Sequence, residues 1–363
     1  MNDVFGNSVS VTLSGESHGK AIIATLCGIA PGIPFYDDII ESALSKRRGL
    51  PEISTQRREP DKFEVLSGVY NNFTTGTPIT IVILNEDTES AAYSDIENLL
   101  RPGHADYTAE MKYHGYQDKR GGGHFSGRIT AGLVAAGSIA KYALERKGIF
   151  IGSHILSCGK VFDREFQNIE NDIKALGGKD FAVLDEDAAE KMKAAVIAAK
   201  DSCDSIGGRI ETVITGLPAG IGEPFFDSIE SEISHMIFSV PAVKGIEFGA
   251  GFAFSDMTGS TANDTFCIKN DKIYTKSNNN GGINGGITNG MPVIFRTAVK
   301  PTPSISKPQS TVNIADMSES EIAVHGRHDP AIVTRMPIIS DCAAAIVIAD
   351  LLTRRFGTDF LGG

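Results

Sequence analysis

The chain has 363 residues, 41% hydrophobic and 22% charged, which is typical of a globular protein large enough to bury a substantial core. Its formal net charge of -11 does not favour nonspecific binding to nucleic acid or to an acidic membrane surface. Five scattered cysteines without C-x-x-C spacing indicate neither a disulfide framework nor a structural zinc site. The N-terminus shows no secretory signal, and we expect a cytoplasmic protein.

The predicted elements mix strands and helices along the whole chain. In chain order, alternation and β-branched content predict a strand at residues 9–13, a helix at 37–46, strands at 62–69 and 79–84, helices at 129–146 and 187–200, a strand at 209–215, a helix at 227–238, strands at 251–256 and 293–299, and a helix at 338–354. The strands cluster with hairpin-like spacing rather than in strict βαβ alternation. This pattern predicts an α+β fold of packed layers.

Part of the sequence repeats itself. P-F-Y-D-D-I-I-E at residues 34–41 resembles P-F-F-D-S-I-E-S at 224–231, and T-G-T-P-I at 75–79 resembles N-G-M-P-V at 289–293. We expect a single domain over residues 1–363, in which residues of about 8–150 and 208–355 are two copies of one βαββα-like unit related by a pseudo-twofold axis. A polar, alanine-rich stretch at about 160–200 is predicted to be a peripheral insertion in the linker between the copies.

The segment G-E-S-H-G at residues 15–19 has three interpretations. As G-x-S-x-G it has the pattern of a hydrolase nucleophile elbow with Ser17 as the nucleophile, but at most one strand precedes it. With Lys20 it is one residue short of a P-loop, and Ala21 stands where that motif needs a hydroxyl. The third interpretation combines it with R-P-G-H-A-D at 101–106 and R-H-D-P at 327–330.

Positive charge and glycine are concentrated in two stretches. Between residues 46 and 62 six basic residues outnumber three acidic ones, which indicates a small anionic ligand: Lys46, Arg47, Arg48, Arg57, Arg58 and Lys62. Residues 278–290 contain five glycines and five asparagines. So much glycine permits close approach to a flat or phosphorylated ligand, although a mobile surface loop has the same composition.

Seven segments in order resemble the chorismate synthase family over about residues 5–356: those at 15–19, 57–61, 101–106, 121–128 (G-G-G-H-F-S-G-R), 204–207 (D-S-I-G), 300–302 (K-P-T) and 326–330. The resemblance implies a sandwich-like α+β fold and a homotetramer. It also implies that 5-enolpyruvylshikimate 3-phosphate loses phosphate and a ring proton in a 1,4-anti elimination to give chorismate. That reaction requires reduced FMN (FMNH2) although it has no net redox change.

The resemblance also implies roles for individual residues. His18 would lie beside the leaving phosphate, His104 would protonate the flavin, and Asp350 would assist at the flavin N5. Anionic groups of the substrate would be bound by Ser17, Arg47, Arg48 and Arg128, together with Ser126 and Arg327. The flavin would be bound by His124, Phe125, Ser126, Pro241, Ala242, Gly285, Lys300, Pro301, Thr302, Pro303, Ser304 and Arg327. No metal ion is expected.

Two positions depart from the family pattern. Many members have Arg-Ser-Ser where this chain has His124-Phe125-Ser126, which implies aromatic rather than ionic flavin contacts. Ile53 stands where some members have an arginine that contacts NADPH, so NADPH is expected only if the protein reduces its own flavin. Two other function classes remain open: a serine hydrolase that uses Ser17, and a flavin- or anion-binding protein without activity.

Overall fold

The computed structural model describes residues 3–54, 59–86, 98–324 and 329–362, so the predicted site residue Arg327 and the basic residues Arg57 and Arg58 lie outside the described residues. The helices are α1 (Asp37–Arg48), α2 (Asp106–Tyr113), α3 (Thr130–Glu145), α4 (Ile169–Gly177), α5 (Glu186–Asp201), α6 (Ile229–Ser239), α7 (Gly259–Ala262) and α8 (Met336–Phe356). The strands are β1 (Val4–Phe5), β2 (Ser10–Gly15), β3 (Ala21–Cys27), β4 (Phe63–Val65), β5 (Val69–Tyr70), β6 (Phe73–Thr74), β7 (Ile79–Leu84), β8 (Phe150–Cys158), β9 (Val161–Phe162), β10 (Gly208–Thr215), β11 (Val243–Phe248), β12 (Phe266–Lys269), β13 (Lys272–Thr275), β14 (Ile283–Asn284), β15 (Ile287–Thr288), β16 (Val293–Val299), β17 (Gln309–Asn313) and β18 (Ser318–Ile322).

Two five-stranded antiparallel sheets form the outer layers of the main body. The first has the strand order β1-β2-β3-β7-β4, and the second has the order β11-β16-β10-β8-β9. In β7, Ile79, Ile81 and Ile83 are buried while the residues between them are more exposed. Since side chains alternate across a strand, this pattern turns one face of the first sheet towards the helices.

Helices α3 and α8 lie between the sheets and pack against each other, α3 on β3 and β7 and α8 on β8 and β10. Both helices are apolar around almost their whole circumference, as buried helices are. Residues Ile332–Phe356 are long and apolar enough to cross a membrane: an 18-residue window within them has a mean hydropathy of 1.7. However, 83% of that window is buried inside the protein. The helices approach closely because Gly137 has no side chain: a Cβ there would lie 2.5 Å from the backbone of Cys342.

The two sheets share one strand order. Strands β2-β3-β7-β4 of the first sheet correspond in sequence order and in neighbours to β8-β10-β16-β11 of the second. Helix α1 corresponds to α6, since α1 lies between β3 and β4 and α6 between β10 and β11, and α3 corresponds to α8, since α3 follows β7 and α8 follows β16. This correspondence supports the proposed duplication with a different boundary: the second copy would begin at β8. The insertion would then lie within the second copy, between β8 and β10, and not in the linker.

The predicted α+β class is confirmed by this architecture. All five predicted helices are present within two residues at each end, while α2, α4, β3, β8 and β11 were not predicted. The strand predicted at 251–256 is wrong, since Gly251–Asp256 forms 3₁₀ turns. Gly249 and Gly251 have φ of 56° and 55°, a left-handed conformation that curls the chain out of the extended form.

Candidate functional site

A cavity of about 1420 Å³ opens between the two halves of the chain. Its wall includes most of the predicted site residues: Ser17, His18, Arg47, Arg48, His104, His124, Phe125, Ser126, Arg128, Pro241, Ala242, Lys300, Thr302, Pro303 and Ser304. Pro301, Gly285 and Asp350 do not line it. The structure therefore gathers in one place residues that come from six separate segments of the sequence.

Ser17 and His18 lie in the turn between β2 and β3, and both are buried. Oγ of Ser17 lies 2.8 Å from Nδ1 of His18. The backbone N–H of Ser17 donates to the carbonyl of Gly123 at 3.0 Å, and Gly121 packs directly against both side chains. The glycine-rich segment 121–123 therefore covers this turn and fixes the direction of the imidazole.

Asp61 joins two arginines in the wall of the cavity. Its Oδ2 accepts from NH2 of Arg47 at 3.4 Å, and its Oδ1 makes a short hydrogen bond with NH1 of Arg128. Burial alone would raise the pKa of Asp61, but the fields of Arg47 and Arg128 outweigh it and lower that pKa. Asp61 thus pairs with both guanidinium groups, and a second buried carboxylate, that of Glu59, lies 4.0 Å from NH2 of Arg128.

Arg47 retains an unused donor in this cluster. Its side chain is 6% exposed, and within the described part of the chain its buried Nε makes no hydrogen bond. Burial lowers the pKa of Arg47 to about 10, and the nearby Arg128 and Arg335 lower it as well. Arg47 is still charged near neutral pH, and a further anion is the natural partner for the free donor.

Arg48 and Arg335 extend the positive wall. Arg48 is exposed at the end of α1 and donates from NH1 to the carbonyl of Pro60 at 3.2 Å. NH1 of Arg335, just before α8, donates to the carbonyl of Arg47 at 3.3 Å, and its Nε lies 2.9 Å from Oδ2 of Asp329.

Asp61, Asp329 and Arg335 line the cavity but were not predicted. The first two stand in the motifs at 57–61 and 326–330, which could have indicated them.

His104 lies in a turn that is braced from both halves of the chain. The backbone and guanidinium of Arg101 donate to the carboxylate of Asp106 at 2.7–2.9 Å, which holds the ends of the turn together. Nε2 of His104 lies 2.7 Å from Oγ of Ser304, and Nζ of Lys300 donates to the carbonyl of Gly103 at 2.6 Å. The two segments form one wall of the cavity.

The part of the cavity near this wall offers side chains that could hold a flat aromatic ligand with a phosphate group. Phe125 is 42% exposed and its ring lies 6.1 Å from that of Tyr113, so an aromatic face is available. Oγ1 of Thr302 is buried without a hydrogen-bond partner in the described segments. Burial and the charge of Lys244 lower the pKa of Lys300, and both lysines line the cavity. A bound anion would relieve their repulsion.

Three predicted site residues lie away from the cavity wall. Oδ1 of Asp350, in α8, accepts from the backbone N–H groups of residues 7, 8 and 9 at 3.2, 2.6 and 2.8 Å. These are the contacts of a structural carboxylate that ties the turn between β1 and β2 to the core. Gly285 lies in the turn between β14 and β15 with a φ of 63°. Pro301 is exposed between Lys300 and Thr302.

Comparisons with known proteins all point to one family. The chorismate synthase family profile matches residues 9–353. The chorismate synthase of Thermococcus gammatolerans is 45% identical over 350 residues, covering 96% of this chain and 97% of that protein. That of Pyrococcus abyssi is 45% identical over 351 residues, covering 96% and 98%. A crystal structure of a chorismate synthase superposes with a TM-score of 0.78 at 27% identity, covering 98% of this chain and 94% of that one.

Proposed function

The chain belongs to the chorismate synthase family of lyases, and from that premise we propose that it eliminates phosphate from 5-enolpyruvylshikimate 3-phosphate, in a 1,4-anti sense, to give chorismate. The observation that carries the proposal is the convergence of buried arginines and two histidines on one cavity. Such a cavity suits a small trianion whose leaving group takes negative charge with it.

Arg47 and Arg128 would bind the anionic groups of the substrate. A guanidinium offers parallel donors that match a carboxylate or a phosphate, and Asp61 already fixes the planes of both side chains. The buried Nε of Arg47 supplies a donor that no described residue uses. Arg48 and the hydroxyls of Ser17 and Ser126 would complete the set.

The two histidines would handle charge and protons. His18 would neutralise the departing phosphate, since an imidazole that titrates near neutrality can be a cation in the transition state. His104, held by Ser304, would supply a proton to the flavin. The arrangement separates the two roles by placing each imidazole on a different segment.

Reduced FMN, when bound, would supply electron density to the substrate and accept the ring proton at N5. Phe125 would contact its ring, Lys300 would pair with its phosphate, and Thr302 would use its unpaired hydroxyl. Asp350 does not line the cavity and accepts from the backbone N–H groups of residues 7–9, so we propose an anchoring role for it instead. The buried Ile53 offers no charged group to NADPH, so we propose that flavin reduction does not depend on this position.

We further propose that the enzyme is a cytoplasmic homotetramer that binds neither nucleic acid nor membranes. Its five cysteines are unpaired, as is usual in a reducing compartment. Phe225, Phe226 and Phe252 are 86%, 91% and 83% exposed, and exposed aromatic surface of this kind is commonly covered by subunits.

The hydrolase alternative loses support. Ser17 stands in a hairpin turn between antiparallel strands β2 and β3, whereas a nucleophile elbow joins a strand to a helix.

One anaerobic experiment tests the proposal: phosphate release from 5-enolpyruvylshikimate 3-phosphate with dithionite-reduced FMN, with oxidised FMN, and without flavin. We expect release with reduced FMN alone. Equal rates in all three samples, with inhibition by a serine phosphonylating reagent, would support the hydrolase.

A further inference from the structure

Asn85 follows β7 and connects two parts of the site that are far apart in sequence. Its Oδ1 accepts from Nε of Arg128 at 2.9 Å. Its Nδ2 donates to the carbonyls of Glu16 and Gly19 at 3.0 and 2.9 Å, so one amide holds both ends of the segment 16–19, which we call the histidine turn. The backbone N–H of Asn85 also donates to the carbonyl of Lys20 at 3.1 Å.

The orientation of this amide is fixed by its neighbours. The two carbonyls of the histidine turn can accept but not donate, while Nε of Arg128 can donate but not accept. A flipped amide would place its NH2 group against the N–H of Arg128 and its oxygen against the two carbonyls, so all three hydrogen bonds would be lost. Of the uncharged side chains, an amide offers two donors and an acceptor in one rigid plane, which suits the three contacts.

Asn85 does not line the cavity, so it acts through the residues that do. We propose that Asn85 is a positioning residue that sets the distance and direction between His18 and Arg128. This inference rests on the proposed function, because it assumes that both residues act on one substrate. A displacement of about 1 Å in a catalytic group can cost about 100-fold in rate.

Two substitutions separate positioning from simple charge pairing. Asn85→Ala removes all three side-chain hydrogen bonds. Asn85→Asp keeps an acceptor for Arg128 and adds an ion pair, but it turns a carboxylate oxygen towards the two carbonyls of the histidine turn. We expect both variants to lose about 100-fold in kcat/KM. If Asn85 served Arg128 alone, Asn85→Asp would be close to wild type.

The control is Asn168→Ala in the insertion, where Oδ1 of Asn168 caps α4 by accepting from the N–H of Asn171 at 3.3 Å. This variant loses an asparagine hydrogen bond away from the cavity. We expect a lower Tm with unchanged kcat/KM. Comparison with Asn85→Ala therefore separates lost stability from lost positioning.

A double-mutant cycle with His18→Ala is the decisive test. If Asn85 acts through His18, the Asn85→Ala substitution should cost about 100-fold in the wild-type background and less than about tenfold once His18 is absent. Calorimetric titration of the flavin-free protein with 5-enolpyruvylshikimate 3-phosphate provides a second readout, in which we expect weaker binding by both Asn85 variants.

Additive losses in the cycle, or an Asn85→Ala variant within twofold of wild type, would overturn the proposal. An inactive wild-type protein under reduced FMN would instead refute the proposed function, so the two failures are distinguishable. If Asn85→Ala does not fold, Asn85→Ser replaces it in the same cycle.

Discussion

Nε2 of His104 lies 2.7 Å from Oγ of Ser304, and this hydrogen bond joins two residues that are 200 positions apart. It crosses from the first half of the chain to the second, as does the bond from Lys300 to the carbonyl of Gly103. The direction of the imidazole therefore depends on how the halves meet. Neither segment alone would fix the orientation of the His104 imidazole.

Removal of the Ser304 hydroxyl should loosen His104 without removing it. One hydrogen bond is worth about 1 kcal/mol, so we expect Ser304→Ala to lower kcat about five- to tenfold. His104→Ala should lose about 100- to 10,000-fold, as expected for a proton donor, while FMN binding survives. Anaerobic kinetics and FMN fluorescence titration measure both. Ser306→Ala, which breaks a bond to the carbonyl of Val324 instead, is the control and should match wild type.

Replacement of Asp61 should destabilise the protein because Arg47 and Arg128 would both lose their ion pair with this carboxylate. Breaking a buried ion pair by removing one partner costs about 3–5 kcal/mol, and we expect a loss of that order for Asp61→Asn at pH 7 in urea unfolding. Glu190→Gln, which removes an exposed pair with Lys193, should cost less than about 1 kcal/mol.

The same variant has a defined pH dependence. The pKa of Asp61 is lowered on folding, so its contribution is present above the unfolded-state value of about 3.9 and is lost as pH falls through the lower folded value. The difference in unfolding free energy between wild type and Asp61→Asn should therefore narrow below about pH 4. A difference that stays constant down to pH 2 would argue that Asp61 acts through packing.

The five helices that the sequence predicted are α1, α3, α5, α6 and α8. They were predicted well because their apolar residues recur at helical spacing over several turns. The sequence pattern missed β8, although eight of its nine residues are buried, because Ser153 and His154 interrupt the apolar pattern. The partners of those polar side chains include residues far along the chain: Ser153 bonds Asp341 at 2.6 Å, and His154 bonds Glu211 at 3.1 Å as well as the nearer Asp163 at 2.9 Å. A single sequence does not display such pairings.

Residues that line the cavity were predicted where a motif carried them, as at His18, His104 and Arg128. Asp350 was assigned a place at the flavin because the segment A-D-L-L at 349–352 resembles the family pattern there. Its partners are backbone N–H groups of residues 7–9, more than 340 positions away, which no pattern reveals. Asn85 carries no motif signal at all.

His154 should be structural and should not affect catalysis. It is fully buried, with Nδ1 2.9 Å from Oδ2 of Asp163 and Nε2 3.1 Å from Oε2 of Glu211. Burial alone would lower the pKa of His154, but hydrogen bonds to both acids outweigh it and raise that pKa. Asp163 also accepts from the N–H of Leu184 at 2.6 Å, so the cluster attaches the insertion to the second sheet.

We therefore expect His154→Asn to lose about 3–5 kcal/mol of stability with an unchanged kcat for the folded protein. A raised histidine pKa contributes stability that is fully present below about pH 6.5 and is lost as pH rises through the folded value. The pKa values of Asp163 and Glu211 are lowered, so their contribution is present above about pH 4. In urea unfolding, the difference in unfolding free energy between wild type and His154→Asn should be largest between about pH 4 and about pH 6.5.

Gly121 should tolerate no side chain, because the glycine-rich segment 121–123 packs against the histidine turn. A Cβ there would lie 2.5 Å from the ring of His18 and 2.6 Å from Oγ of Ser17, and its φ is 63°. Gly148 has a similar φ of 75° but nothing within 4 Å of a Cβ. The pair thus separates backbone strain from contact with the site.

Both alanine variants should lose about 1–2 kcal/mol from the left-handed backbone. Gly121→Ala alone should also lower kcat/KM, by about 100-fold if the imidazole moves by about 1 Å. Chemical unfolding measures the loss of stability expected in both variants. Phosphate release at saturating reduced FMN measures the loss of activity expected in Gly121→Ala alone. Equal activity of the two variants would mean that the position of His18 does not depend on Gly121, and that the turn is held chiefly from the side of Asn85.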